Sequence, residues 1–168
     1  MLYCAVKHWC KLTNELNQVI NIELAQLDLL LKTYAGLIDR VQQQTPDVVE
    51  LAALATVLHS YYNGAESIFL AVARYLDMQV PEGTRWHREV LAQVARPTAR
   101  RPALLTSPLE VRLTVYLAFR HYFRHSYAFT LDWARLEPLV RELPTLHAAL
   151  RVELKVFQGF LTTEPDVS

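Results

Sequence analysis

Apolar residues recur along this chain at three- and four-residue spacing, the period of one helix face, and rarely alternate as they would in a strand. From about Thr13 to Gln44 the recurring set is Leu16, Ile20, Leu24, Leu27, Leu31, Tyr34, Ile38 and Val41. Thr45, Pro46 and Asp47 interrupt that face, and Asp47 is placed to cap a second helix running to about Leu76. Its inward positions are Leu51, Leu54, Leu58, Tyr62, Ala65, Phe69, Val72 and Leu76. Two long helices joined by so short a turn are expected to pair antiparallel. Residues 77–83 read as a loop, with Thr84 as the cap of a shorter helix through Trp86, Val90 and Leu91.

Three prolines and three arginines then fill residues 95–108, which makes an extended basic connection of that stretch. Ser107, Pro108 and Glu110 read as a helix start: serine as cap, proline at the first helical position, glutamate closing a capping box. The helix that follows turns Leu109, Leu113, Tyr116, Phe119 and Phe123 inward. Pro138 and Pro144 are expected to divide the remainder, leaving 145–160 as a closing helix with Leu146, Leu150, Leu154 and Phe157 buried. The expected fold is an all-α bundle of two long antiparallel helices and shorter C-terminal ones.

With 168 residues, 52% of them hydrophobic, the chain can bury one core. Residues 13–162 form the expected domain, preceded by an N-terminal extension, 1–12, whose structure the pattern does not define, and followed by a tail, 163–168. No apolar run approaches the roughly 20 residues of a membrane span, and Lys7 and Lys11 break any apolar leader, so a cytoplasmic protein with no membrane partner is expected. Cys4, His8 and Cys10 lack the spacing of a zinc site and read as plain thiols, so no metal is expected. No cofactor is expected either.

A net charge of zero removes any global case for nucleic-acid binding, but the distribution restores a local one. Thirteen of the 17 basic residues are arginine, the side chain suited to forked contact with phosphate. Between Arg85 and Arg124 stand eight arginines against Glu89 and Glu110, an excess of six positive charges.

The basic block ends in FRHYFRHSYAF, residues 119–129, where two arginines and two histidines stand among five aromatic rings. On a helix, Phe119, Tyr122, Phe123, Ser126 and Phe129 share a core-facing arc. Arg120, Arg124 and Tyr127 fall on one flank, His121 and His125 on the other. Arg120 and His125 are then about 140° apart, too far for both to grip one phosphate from an undistorted helix. Either the helix ends and turns, or two copies of the chain face each other. The residue types suit RNA cleavage: an imidazole moves the proton of a ribose 2′-hydroxyl or of a leaving 5′-oxygen, while an arginine holds the phosphorane. Such chemistry needs no metal and leaves a 2′,3′-cyclic phosphate. The plainer reading of the same residues is a solvated, dipole-matched helix end over an aromatic core.

The segment R-x4-H-x-Y, here Arg120, His125 and Tyr127, resembles the signature of HepT, the HEPN-domain ribonuclease toxin of bacterial and archaeal toxin–antitoxin pairs. LHSYYNGAESIF (58–69), WHREVL (86–91) and YLAFRHYFRHSYAFTLDWARL (116–136) are similar to HepT-like chains in the same order, and the likeness spans about Leu16 to Phe160. The resemblance implies a HEPN-type bundle that dimerises with the two signatures facing each other. It implies Arg120 as the phosphate-stabilising residue and His125 as base or acid. It implies an MNT-type nucleotidyltransferase antitoxin as partner, which silences the toxin by AMPylation of Tyr127. One departure is His121, where the family often has asparagine; hydrogen bonding is the role both can fill. Arg124 is read as a phosphate contact, and Arg96, Arg100 and Arg101 as guides for RNA. His59, Tyr62, Asn63 and Glu66 share a face of the second helix and read mainly as core or interface, with lining of the cleft by some of them as the alternative; Trp86 and His87 read as packing for the short helix. The rival from a different class is a non-catalytic helical module that partners a nucleotidyltransferase, and a third reading is general nucleic-acid binding without cleavage.

Overall fold

A computed structural model describes residues 2–125 and 130–163, with side chains from His8 onward. Five helices, α1 (Leu2–Arg40), α2 (Val48–Val72), α3 (Trp86–Val94), α4 (Ser107–Arg124) and α5 (Trp133–Thr162), form an all-α bundle, and no strand occurs among the described residues. Helix α1 packs on α2 and α5, α2 on α4 as well, and α3 caps the α2–α4 side. The ion pair of Arg40 with Glu50 and the approach of Leu27 to Gly64 show that α1 and α2 run antiparallel. A Cβ on Gly64 would meet Leu27 Cδ2 at 2.8 Å, so the missing side chain is what lets the two helices close there.

The predicted faces are the buried ones. Leu16, Ile20, Leu27, Ile38 and Val41 of the first helical face, and Leu54, Leu58, Tyr62, Ala65, Phe69 and Val72 of the second, are all core. Asp47 caps α2 in a full capping box: its Oδ1 accepts from the amides of Val49 and Glu50, while its own amide donates to Glu50 Oε2. Helix α1 continues back to Leu2.

Four local expectations are corrected. Helix α3 starts one residue after Arg85, and no side-chain cap from Thr84 is made. The N-cap residue of α4 is Thr106 rather than Ser107; its side chain makes no cap bond to the helix, and its amide and hydroxyl both donate to Glu153 of α5, so no box with Glu110 forms. Pro138 and Pro144 do not divide the C-terminal region, which is one helix of 30 residues. Each proline costs a helix about 3 kcal/mol. The buried row Leu136, Leu139, Val140, Leu143, Leu146, Leu150, Leu154 and Phe157 crosses both prolines. At roughly 1.5–3 kcal/mol per buried side chain, it outweighs them.

The fourth correction concerns Arg101. Helix α2 passes into a π-helical turn, Ala73–Asp77, closed by Met78 in the left-handed region at φ 56°. That turn delivers Asp77 to Arg101, whose side chain is fully buried. Arg101 Nε and Nη2 donate to the two Asp77 oxygens at 2.8 and 2.7 Å, and the remaining donors reach the carbonyls of Arg96, Pro102 and Gln93. With all five N–H groups committed, Arg101 pins the connection to the bundle and has nothing to offer a phosphate.

Candidate functional site

Spacing on α2 puts His59, Asn63 and Glu66 on one face, and the end of α4 crosses it at Arg120 while the first turn of α3 brings in His87. The Arg120 guanidinium, only 11% exposed, is shared among all three elements. Nε donates to Asn63 Oδ1 at 2.6 Å, Nη1 lies 3.3 Å from His87 Nε2, and Nη2 lies 3.5 Å from Glu66 Oε2. Glu66 Oε1, on a carboxylate 5% exposed, takes His87 Nδ1 at 2.8 Å. A proton on Nδ1 and a lone pair on Nε2 satisfy both contacts of His87. The Trp86 ring lies 3.6 Å from the His87 ring, centroid to centroid, and bounds its other side.

Asn63 extends the network by donating from Nδ2 to His59 Nε2 at 3.0 Å. His59 packs on Phe123, and its Nδ1 is buried with no hydrogen-bond partner. Burial holds the His59 pKa below its ordinary 6.5, and the positive charges of Arg120 and Arg124 push the same way. A histidine whose folded pKa is lowered stabilises the fold above its unfolded value and withdraws that stability as pH falls through the folded one. The urea midpoint is therefore expected to fall as pH drops below 6.5. His59→Gln should flatten that part of the profile, as unfolding curves at a series of pH values would show. The neighbouring Tyr62 hydroxyl is likewise buried without a partner, and burial, then Glu66, raises its pKa.

The sequence-predicted residues divide between this cluster and the outer side of α4. Arg120 is in the cluster. His121 and His125 are exposed, their rings 5.0 Å apart between centroids, and His125 is the C-cap residue where α4 stops, at φ −110° and ψ 4°. Arg120 and His125 make no hydrogen bond to each other, as their separation around the helix predicts. Arg124 is exposed and in no ion pair among the described residues. Arg96 bonds the Ala92 carbonyl and lies 3.8 Å from Glu110, and Arg100 reaches the Leu76 carbonyl; both remain exposed, unlike Arg101. Tyr127 lies outside the described residues. Sequence reasoning favoured core or interface roles for Asn63 and Glu66, whose three-and-four spacing on α2 was the signal that they could line a cleft, and it assigned His87 to packing.

Two concavities flank the cluster. One, of about 430 Å³, lies between α3 and α4, lined by His87, Arg120, His121, Leu117 and Ala118 among others. The other, of about 490 Å³, lies between α1 and α2 and includes Asn63 and Glu23. Partial burial raises the Glu23 pKa. Among the described residues no group of three or more histidines, cysteines or carboxylates is arranged to hold a metal, and no helix is long and apolar enough to cross a membrane.

Fold and cluster together define an all-α bundle with an arginine-centred polar site where α4 ends against α2 and α3. A family model described as HepT-like protein matches residues 53–161, and the chain belongs to that HEPN-like family. The matched stretch contains every residue of the cluster. No curated protein and no solved structure matches the chain.

Proposed function

We propose that the protein is a metal-independent endoribonuclease toxin of a HepT/MNT pair, acting in the cytoplasm on single-stranded or looped RNA such as tRNA. The observation that carries this reading is the Arg120 guanidinium, anchored from α2 and facing a cleft at the end of α4, in a chain of the HepT-like family. Arg120 stabilises the phosphorane as the 2′-oxygen attacks, and His125 exchanges a proton with the reacting oxygens. Because the two residues lie on different flanks of one helix, a homodimer with the α4 ends facing supplies the geometry that one chain lacks. The exposed His121, Arg124, Arg96 and Arg100 contact the RNA backbone. An MNT-type nucleotidyltransferase antitoxin silences the enzyme by AMPylation of Tyr127, filling the anion site beside Arg120 with a tethered phosphate.

One observation favours a second reading. Arg120 is already satisfied by Asn63, Glu66 and His87, as it would be in a helical module that only partners a nucleotidyltransferase. Incubating the purified protein with RNA in EDTA separates the two. Fragments ending in 2′,3′-cyclic phosphate are expected, with His125→Ala slower by about 10²-fold or more. Intact RNA from protein whose mass shows no AMP would support the module. Expression alone should slow growth, and co-expression of the nucleotidyltransferase should restore it.

A further inference from the structure

The imidazole that touches Arg120 is His87. It comes from α3, stands on the wall of the α3–α4 cleft, and is oriented by a buried carboxylate through Nδ1. A base whose second nitrogen is fixed by a third group is the arrangement that activates hydroxyl nucleophiles on unrelated folds. The catalytic nitrogen, Nε2, faces the anion-binding guanidinium, so a phosphate taken by Arg120 would bring its neighbouring ribose to His87. At 3.3 Å the contact of Nε2 with Arg120 is longer than the 2.8 Å contact of Nδ1 with Glu66. An entering phosphate oxygen can take over Arg120 Nη1 and release Nε2, while Asn63 keeps hold of the arginine through Nε at 2.6 Å.

The cleft suits a nucleotide. Its volume of about 430 Å³ falls within the roughly 300–1,000 Å³ of small-molecule sites. Leu117 and Ala118 offer an apolar surface to a base. Arg85 and Arg88 also line it, exposed and in no ion pair among the described residues, ready for adjacent phosphates.

Resting on the ribonuclease reading above, we infer that the α3–α4 cleft binds the ribonucleotide 5′ to the scissile bond, and that His87, oriented by Glu66, is the base that deprotonates its 2′-hydroxyl. Nε2 takes the 2′-proton as the O2′–P bond forms. The P–O5′ bond breaks, and the 5′-oxygen leaves as an alcohol with a proton from protonated His125. His87 ends protonated and His125 neutral, and exchange with water restores both. Glu66 is a positioning residue that acts through His87 and Arg120.

The test uses the full chain, free of AMP, with His87→Ala and His125→Ala variants. His87→Ala is expected to slow cleavage by about 10²-fold or more. Added imidazole should restore it, and across substituted imidazoles the restored rate should rise with the basicity of the additive. On RNA carrying sulfur in place of the scissile 5′-oxygen, which leaves without a proton, His125→Ala should regain rate and His87→Ala should not. The inference is overturned if wild type cleaves RNA and His87→Ala cleaves it equally fast, or if added imidazoles have no basicity-dependent effect, as for a residue that merely props Arg120. It is overturned too if the sulfur substrate rescues His87→Ala. Absence of cleavage by wild type is a different result, which removes the ribonuclease reading and the His87 assignment with it.

Discussion

Arg120→Ala is expected to reduce RNA cleavage by about 10²–10³-fold, the usual cost of removing one preorganised donor to a developing negative charge. The loss should fall on kcat rather than on RNA affinity, because Arg124, Arg85 and Arg88 remain to hold the backbone. Arg120→Lys should recover little. An ammonium keeps the positive charge opposite Glu66, but its single nitrogen cannot stay bonded to Asn63 while a second nitrogen passes from His87 to a phosphate. Single-turnover rates at saturating protein, beside the dissociation constant for a 2′-deoxy analogue that cannot be cleaved, would separate the two effects. Full activity in Arg120→Lys would show that charge alone suffices and that the forked geometry is structural.

The largest effect on stability is expected at the other buried arginine. Arg101→Met removes a guanidinium from a site where its own exposure is 0% and that of Asp77 is 6%. It leaves Asp77 buried with only Gln93 Nε2, at 2.7 Å, to compensate. Breaking a buried pair in this way costs about 3–5 kcal/mol, which for a domain of this size is a fall in melting temperature of roughly 10 °C. Asp77→Asn with Arg101→Met together should recover part of the loss, since the double variant buries no unpaired charge. Thermal melts of the wild type and the two variants check this. RNA cleavage at a temperature where all are folded should change little, the opposite of what an RNA-guiding Arg101 would give.

These two arginines mark how far the chain could be read from its residues alone. Arg101 lies in a proline-rich stretch that looks like any solvated basic connection, and its partner is 24 residues away on a π-helical turn with no recognisable sequence pattern. Arg120 stood in a stretch that resembles a family signature, whereas nothing in that stretch named its neighbours. Asn63 is 57 residues from it and His87 is 33. The same limit explains Pro138 and Pro144. Proline reads locally as a helix break, whereas burial along α5 is summed over the whole bundle.

What the sequence by itself determined is therefore local in origin. The helical period, the buried faces of α1, α2 and α4, the capping box at Asp47 and the opposite flanks of Arg120 and His125 all depend on residues within about one or two turns of each other. Only the tertiary structure decided which arginine is buried, which imidazole meets Arg120, and that a threonine held by Glu153 starts α4. Each of those outcomes depends on how one helix is rotated and set against another, and side chains of one type meet very different partners as that setting changes.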